Sequence, residues 1–253
     1  MTTQPLKVLF IGNSFTARNN VPALIEQLAE ARGKKLQHQL ISAGGASLRM
    51  HWNKGEAQQL IQQTKYDYVV LQEQSTLPVK NSKRMHENIR LFDKVIKDSG
   101  AKTALYLTWA HQNAPETQAA ITDAYTTIGA ELGATIVPVG IAWQNFLGNY
   151  QQPILHDKDQ SHPTPAGSYL AACIFFAVLF GENPAGIVCP LKDFTREQAE
   201  VLQSTAWATA CGVRTAGLTP LSVRWKDAAH HLAVFLSERQ SDVEPSHSIH
   251  VIS

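Results

Sequence analysis

Cysteine is scarce in this chain of 253 residues. The three thiols, Cys173, Cys189 and Cys211, are too few and too scattered to staple a small disulfide scaffold. Cys173 stands in an apolar, helix-like run and reads as a small buried hydrophobe, not a reactive thiol. Metal-ligand patterns are missing as well. There is no H-E-x-x-H and no C-x-x-C, and the ten histidines do not fall at ligand spacing. Neither a metal nor an organic cofactor is therefore expected. Charge of one sign is not in excess. The formal net charge is +1, and no basic stripe stands out, which argues against a nucleic-acid partner. Long apolar runs are absent. The longest, residues 171–180, is too short to span a bilayer, so no membrane partner is expected. The apolar stretch at residues 8–11 is too short for the core of a signal peptide. The expectation is a soluble, cytoplasmic protein, with its oligomeric state left open.

What the chain does have is an ordinary globular composition, 44% hydrophobic and 17% charged, enough for a sizeable core. Short aliphatic runs alternate with longer amphipathic segments. Strands are expected at 7–11, 37–41, 68–71, 103–107 and 135–139, each nearly continuous in apolar residues, as parallel strands buried on both faces should be. Helices are expected at 21–32, 81–99, 115–132 and 164–179. The first three stop at Gly33, Gly100 and Gly133. A further helix is expected at 196–211, and residues 237–250 read as a polar tail. The alternation predicts an α/β fold, three α/β/α layers around a five-stranded parallel sheet. Residues 1–191 form the expected domain and 192–253 a C-terminal helical appendage and tail. Ligands of such sheets bind beyond the carboxyl ends of the strands, so those ends carry the functional argument.

The first strand runs into Gly12-Asn13-Ser14. A serine just past a buried strand presents its hydroxyl to the cleft, where turn N–H groups can meet a developing oxyanion. A turn-forming Asn-Ser before a helix accounts for the same residues, and the G-x-S-x-G elbow is absent. The second segment is Asp159-Gln-Ser-His162-Pro163-Thr164-Pro165. Three residues apart in one loop, the carboxylate can reach the imidazole, set its tautomer and stabilise its charged form. A polar loop capping a helix explains Thr164 and Pro165. It does not explain why Asp159 and His162 sit together.

Gly12-Asn13-Ser14 followed at long range by Asp159-x-x-His162-Pro163 resembles the first and last blocks of the SGNH (GDSL-like) hydrolase superfamily. The likeness covers about residues 7–179, with Asn13 where the family usually has Asp. It implies an SGNH/flavodoxin-like fold with Ser14 as nucleophile, His162 as base and Asp159 as its orienter. The family's middle blocks imply oxyanion donors. After the second strand they fall on Gly44 or Gly45, with Gly45 preferred. After the third strand this chain has Leu71-Gln72-Glu73-Gln74-Ser75 in place of Gly-x-Asn-Asp, a stretch similar to that of carbohydrate O-acetylesterases. An amide from Gln72 or Gln74 can replace the asparagine. Glu73 between them reads as helix-capping or solvent-facing. Trp109, after the fourth strand, is a candidate to line the substrate pocket, with core packing the alternative. Arg49, His51 and Trp52 are candidates for substrate contact or for surface and packing roles.

The resemblance implies a serine esterase acting on short-chain, chiefly acetyl, esters of a carbohydrate or small molecule. Two other readings stand beside it. A catalytically silent glycan- or partner-binding module does not need all three of Ser14, Asp159 and His162. A flavodoxin-like nucleotide binder leaves Asp159 and His162 unexplained.

Overall fold

The computed structural model describes residues 4–192 and 194–215. Five strands, β1 (Leu6–Gly12), β2 (Leu36–Ser42), β3 (Tyr68–Leu71), β4 (Lys102–Tyr106) and β5 (Thr135–Val137), form one sheet in the order β2-β1-β3-β4-β5. Every pairing is parallel. The order reverses between β1 and β3, the switch point at which a crevice opens beyond the strand ends of such sheets.

Because successive strand side chains point to opposite faces, β1 feeds two cores at once. Val8 and Phe10 join Val70, Ala104 and Tyr106 on one face. Leu9 and Ile11 join Val69, Leu71 and Leu105 on the other. Besides α1 (Ser14–Ala17), the first face is covered by α2 (Val21–Ala31) and by three later helices. The second carries α3 (Leu48–Lys54), α4 (Glu56–Gln63), α6 (Ser82–Asp98) and α7 (Gln118–Leu132), with the short α5 (Leu77–Lys80) joining them. The later helices are α8 (Val139–Asn149), α9 (Pro165–Phe180) and α10 (Arg196–Thr215). Helices on both faces make the three layers expected.

The strands fall where the apolar runs place them, with one difference in kind. β2 is an edge strand, and its Gln37, Gln39 and Ser42 are exposed, so it is not buried on both faces. The fifth strand ends at Val137, two residues early. Pro138 has no N–H for the ladder, and α8 begins at once. Helices α3, α4 and α8 were not anticipated. Gly55, at φ 77°, separates α3 from α4 and cuts one amphipathic stretch into two short pieces. Helix α9 is buried without a break from Ala166 to Ala177. A helix apolar all round has to be enclosed, and α2, α8 and α10 enclose it. No described helix is long and apolar enough to cross a membrane. The expected helix at 196–211 is α10, packed on α9 and α8. The expected tail at 237–250 lies outside the described residues.

Candidate active site

Ser14 opens α1 directly after β1. The turn before it is tightly held. Asn13 caps the helix, its Oδ1 accepting from the Phe15 N–H at 3.0 Å. Its Nδ2 donates to the Ala46 carbonyl at 3.0 Å, tying this turn to the loop after β2. The peptide between Gly12 and Asn13 is gripped at both ends. The Gly12 carbonyl accepts from His51 Nε2 at 2.7 Å, and the Asn13 N–H donates to Gln72 Oε1 at 2.9 Å. A Cβ on Gly12 would lie 2.6 Å from that Oε1, so only glycine fits. Burial holds the His51 pKa below its ordinary value, which keeps the ring neutral and donating through Nε2.

His162 and Asp159 stand on a loop closed on itself. The Thr164 N–H donates to the Leu155 carbonyl at 2.9 Å and the Asp157 N–H to the His162 carbonyl at 2.8 Å. Gln160 takes a left-handed φ of 63° at the bend. Asp159 Oδ1 accepts from the backbone N–H groups of His162 (2.8 Å) and Ser161 (3.0 Å). Those bonds, with a smaller share from the His162 ring, hold the Asp159 carboxyl well below the usual carboxylate range. The loop is pinned to the segment after β4. The Trp109 indole donates to the Ser161 carbonyl at 3.0 Å, the Gln112 N–H to the Gln160 carbonyl at 2.8 Å, and His156 Nε2 to the Ala110 carbonyl at 3.0 Å.

Together these two elements bring the three expected side chains into a line. Ser14 Oγ lies 2.8 Å from His162 Nε2, and His162 Nδ1 lies 2.6 Å from Asp159 Oδ2. An ionised carboxylate only accepts, so Nδ1 carries the hydrogen and Nε2 is left bare to receive the serine proton. The Phe15 ring meets the His162 ring edge-on at 5.6 Å and limits its tilt. Arg18 adds a cation at 3.6 Å from Asp159 and 3.3 Å from Asp157. Ser14, Ala17, Arg18, Asp159 and His162 line an open cleft of about 430 Å³.

No family model matches this sequence, and no curated protein matches it. Solved structures do. A candidate SGNH hydrolase from Slackia heliotrinireducens is 24% identical with a TM-score of 0.61, over 70% of this chain and 100% of that one. A DUF4886 family protein from Bacteroides uniformis is 20% identical with a TM-score of 0.65, over 85% and 97%. Axe2, an acetyl-xylooligosaccharide esterase from Geobacillus, is 20% identical with a TM-score of 0.58, over 71% and 96%. The chain has the SGNH hydrolase fold.

Within that SGNH fold the remaining expected residues separate. Gly44 and Gly45 lie in the loop after β2. Gly45 takes φ 65°, and a Cβ at either glycine would meet nothing. Gln72 does not reach the cleft. It is 0% exposed, its Oε1 accepts from the Asn13 N–H and Thr16 Oγ1, and its Nε2 donates to the Glu73 carbonyl at 2.5 Å. A donor faces Oε1, so the amide cannot be turned round. Its expected part as oxyanion donor is corrected to a brace beneath the serine turn. Gln74 is half-buried, with its Oε1 accepting from the Thr76 and Leu77 N–H groups at 2.9 and 3.0 Å.

Trp109 is also corrected. It is 1% exposed and stacks between Phe15 at 4.5 Å and Trp143 at 3.9 Å. It supports the imidazole loop from below and is not a pocket wall, because its flat faces are both covered. Glu73 is wholly buried, not solvent-facing, although its carboxylate does meet the first N–H of α3. Arg49 donates to Asn88 at 2.9 Å, and Trp52 packs edge-on against Phe92. His111 was not singled out by sequence. Its Nε2 lies 3.2 Å from Ser75 Oγ and 3.1 Å from Ser161 Oγ, and burial lowers its pKa. Only its place after β4 pointed to it. Among the described residues no three His, Cys, Asp or Glu side chains gather as a metal site.

Proposed function

We propose that this protein is an SGNH-type serine esterase that hydrolyses short-chain esters, acetyl esters of a carbohydrate or another small molecule foremost. One observation carries the reading: the hydroxyl-imidazole-carboxylate line of Ser14, His162 and Asp159, at 2.8 and 2.6 Å, opening on a cleft. The acetyl and carbohydrate part rests on the likeness to Axe2.

In this mechanism His162 Nε2 takes the Ser14 proton as Oγ attacks the ester carbonyl. Asp159 stabilises the imidazolium, already committed to its charged form by the two backbone N–H groups on Oδ1. The oxyanion rests on the Ser14 N–H, the Gly45 N–H and the Gln74 amide. Gln74 takes this part because the Gln72 amide is committed beneath the turn. The imidazolium protonates the leaving alcohol. Water then attacks the acyl-enzyme by the same route and frees the acid.

The test is hydrolysis of p-nitrophenyl acetate by the wild type and Ser14→Ala, with fluorophosphonate labelling mapped by peptide. The expected result is a loss of at least about a thousandfold in kcat and a label on Ser14 alone. Equal rates, or a label elsewhere, refute the assignment.

A further inference from the structure

Glu73 is the one fully buried carboxylate among the described residues, and the proton transfers above do not use it. Its surroundings are all donors. Oε1 accepts from the Leu48 N–H at 2.9 Å and from the Gln74 N–H at 2.8 Å. Oε2 accepts from Asn88 Nδ2 at 2.8 Å. Asn88 Oδ1 in turn accepts from Arg49 Nε at 2.9 Å. Arginine has no acceptor, so it fixes which end of the Asn88 amide faces which neighbour. The chain from Arg49 through Asn88 to Glu73 therefore runs in one direction only. Burial raises the Glu73 pKa, and the Asn88, Gln74 and Leu48 donors oppose that rise.

Leu48 begins the helix three residues after Gly45, and Gln74 follows β3. Glu73 thus joins the loop after β2 to the loop after β3. We propose that Glu73 is a positioning residue that sets these two loops, and with them the Gly45 N–H and the Gln74 amide, at the spacing that receives the oxyanion. This inference rests on the esterase reading of Ser14. It gives Arg49 and Asn88 a shared part, to hold the Glu73 carboxylate in one orientation.

The test is a set of substitutions read by kcat, KM and the rate of fluorophosphonate labelling. Glu73→Gln has almost the same shape but puts an NH₂ where only acceptors fit. Facing Asn88, that NH₂ meets another donor. Turned round, it meets the Leu48 and Gln74 N–H groups. If Asn88 flips to oblige, its own NH₂ meets Arg49. Glu73→Gln should therefore lower kcat and the labelling rate ten- to a hundredfold with KM within about twofold of wild type. Arg49→Met alone should lower kcat only a few-fold. Combined with Glu73→Gln, it frees Asn88 to flip and should restore at least part of the lost kcat. Wild-type kcat in Glu73→Gln, or a double variant no better than Glu73→Gln, overturns the proposal. Should Glu73→Gln fail to fold, Asn88→Ala keeps both bonds to Oε1 and should lower kcat several-fold at unchanged KM. A wild-type kcat there overturns it equally. Ser14→Ala, assayed in parallel, separates the outcomes. If Ser14→Ala keeps the wild-type rate, the esterase reading itself has failed.

Discussion

Asn19 Nδ2 donates to Ser168 Oγ at 2.9 Å and to the Pro163 carbonyl at 3.2 Å, joining the segment after Ser14 to the chain just past His162. Ser168 Oγ also reaches the Arg18 carbonyl at 3.4 Å. The serine and the imidazole, 148 residues apart in sequence, are held in register by this clamp. Asn19 sits at φ 56°, a conformation glycine accepts without strain, so Asn19→Gly removes its two bonds and leaves the Ser168–Arg18 contact in place. Two lost hydrogen bonds amount to about 2 kcal/mol, or roughly 4–8 °C in Tm. Kcat should fall about tenfold, because the Ser14–His162 distance loosens. Calorimetry and p-nitrophenyl acetate kinetics check both. An unchanged kcat would show that the clamp does not set that distance.

Asp159→Asn keeps the shape of the loop but presents an NH₂ to the imidazole or forces its other tautomer. Kcat should fall by about 10⁴. The substitution also has a signature in stability. The folded Asp159 pKa lies below its unfolded value, so the unfolded state binds more protons between the two. The contribution is present above about pH 4 and is lost as pH falls through the folded pKa. Urea unfolding of wild type and variant should show a gap above pH 5 that narrows below pH 4. A gap that widens on acidification would contradict the assignment.

Gln72 and Gln74 should behave oppositely. Gln72→Ala leaves the Asn13 N–H and Thr16 hydroxyl buried without their acceptor, about 1–3 kcal/mol for each. It should appear chiefly as lost stability. Gln74→Ala removes a proposed oxyanion donor and should lower kcat by about 10²–10³. It also removes the acceptor of the Thr76 and Leu77 N–H groups, but these are part-buried and can turn to water, so the stability loss should be smaller than for Gln72→Ala. Parallel denaturant melts and kinetics decide. The reverse pattern would return the donor role to Gln72.

Trp109 offers a graded test. Trp109→Phe keeps an aromatic ring in the stack but loses the bond to the Ser161 carbonyl, about 1 kcal/mol. Trp109→Ala opens a cavity and should cost about 3–5 kcal/mol. Neither should raise KM more than about twofold, since the ring has no face on the cleft. A large KM change in Trp109→Phe would restore it as a substrate contact.

Two buried histidines and the half-buried His111 should make stability fall as pH drops through about 6.5. Desolvation lowers the pKa of His51, His111 and His156 in the folded state. The unfolded chain then takes up more protons as pH drops through about 6.5, and stability declines. Urea midpoints measured from pH 8 to pH 5 should fall below about pH 6.5. His51→Gln, which replaces the donor to Gly12, should make that fall shallower. A midpoint constant across this range would mean these rings are free to charge when folded.

The fold was legible because its signals are local. The apolar runs of β1, β3 and β4 and the glycine stops after α2, α6 and α7 are properties of short windows. Helix α3 escaped because its window is only seven residues, and α8 because its start, at Pro138 and Val139, continues the apolar run of the fifth strand. Ser14 was visible at a strand end, and Asp159 with His162 by their spacing in one loop. Glu73 and His111 were not, since a carboxylate or imidazole after a strand looks the same in sequence whether solvent or three donors await it.

From its residues alone this chain determined an alternating α/β layout, the serine at the first strand end and the Asp159–His162 pair, because each follows from periodicity or from bonds within a few residues. Tertiary structure decided which glutamine lies beneath the turn, that Trp109 is enclosed and that Glu73 joins two loops. Those outcomes depend on partners brought from distant segments, such as Asn13 to Gln72 and Asn88 to Glu73. Which donor faces which acceptor is settled only when the strands are in register and the loops beyond them meet.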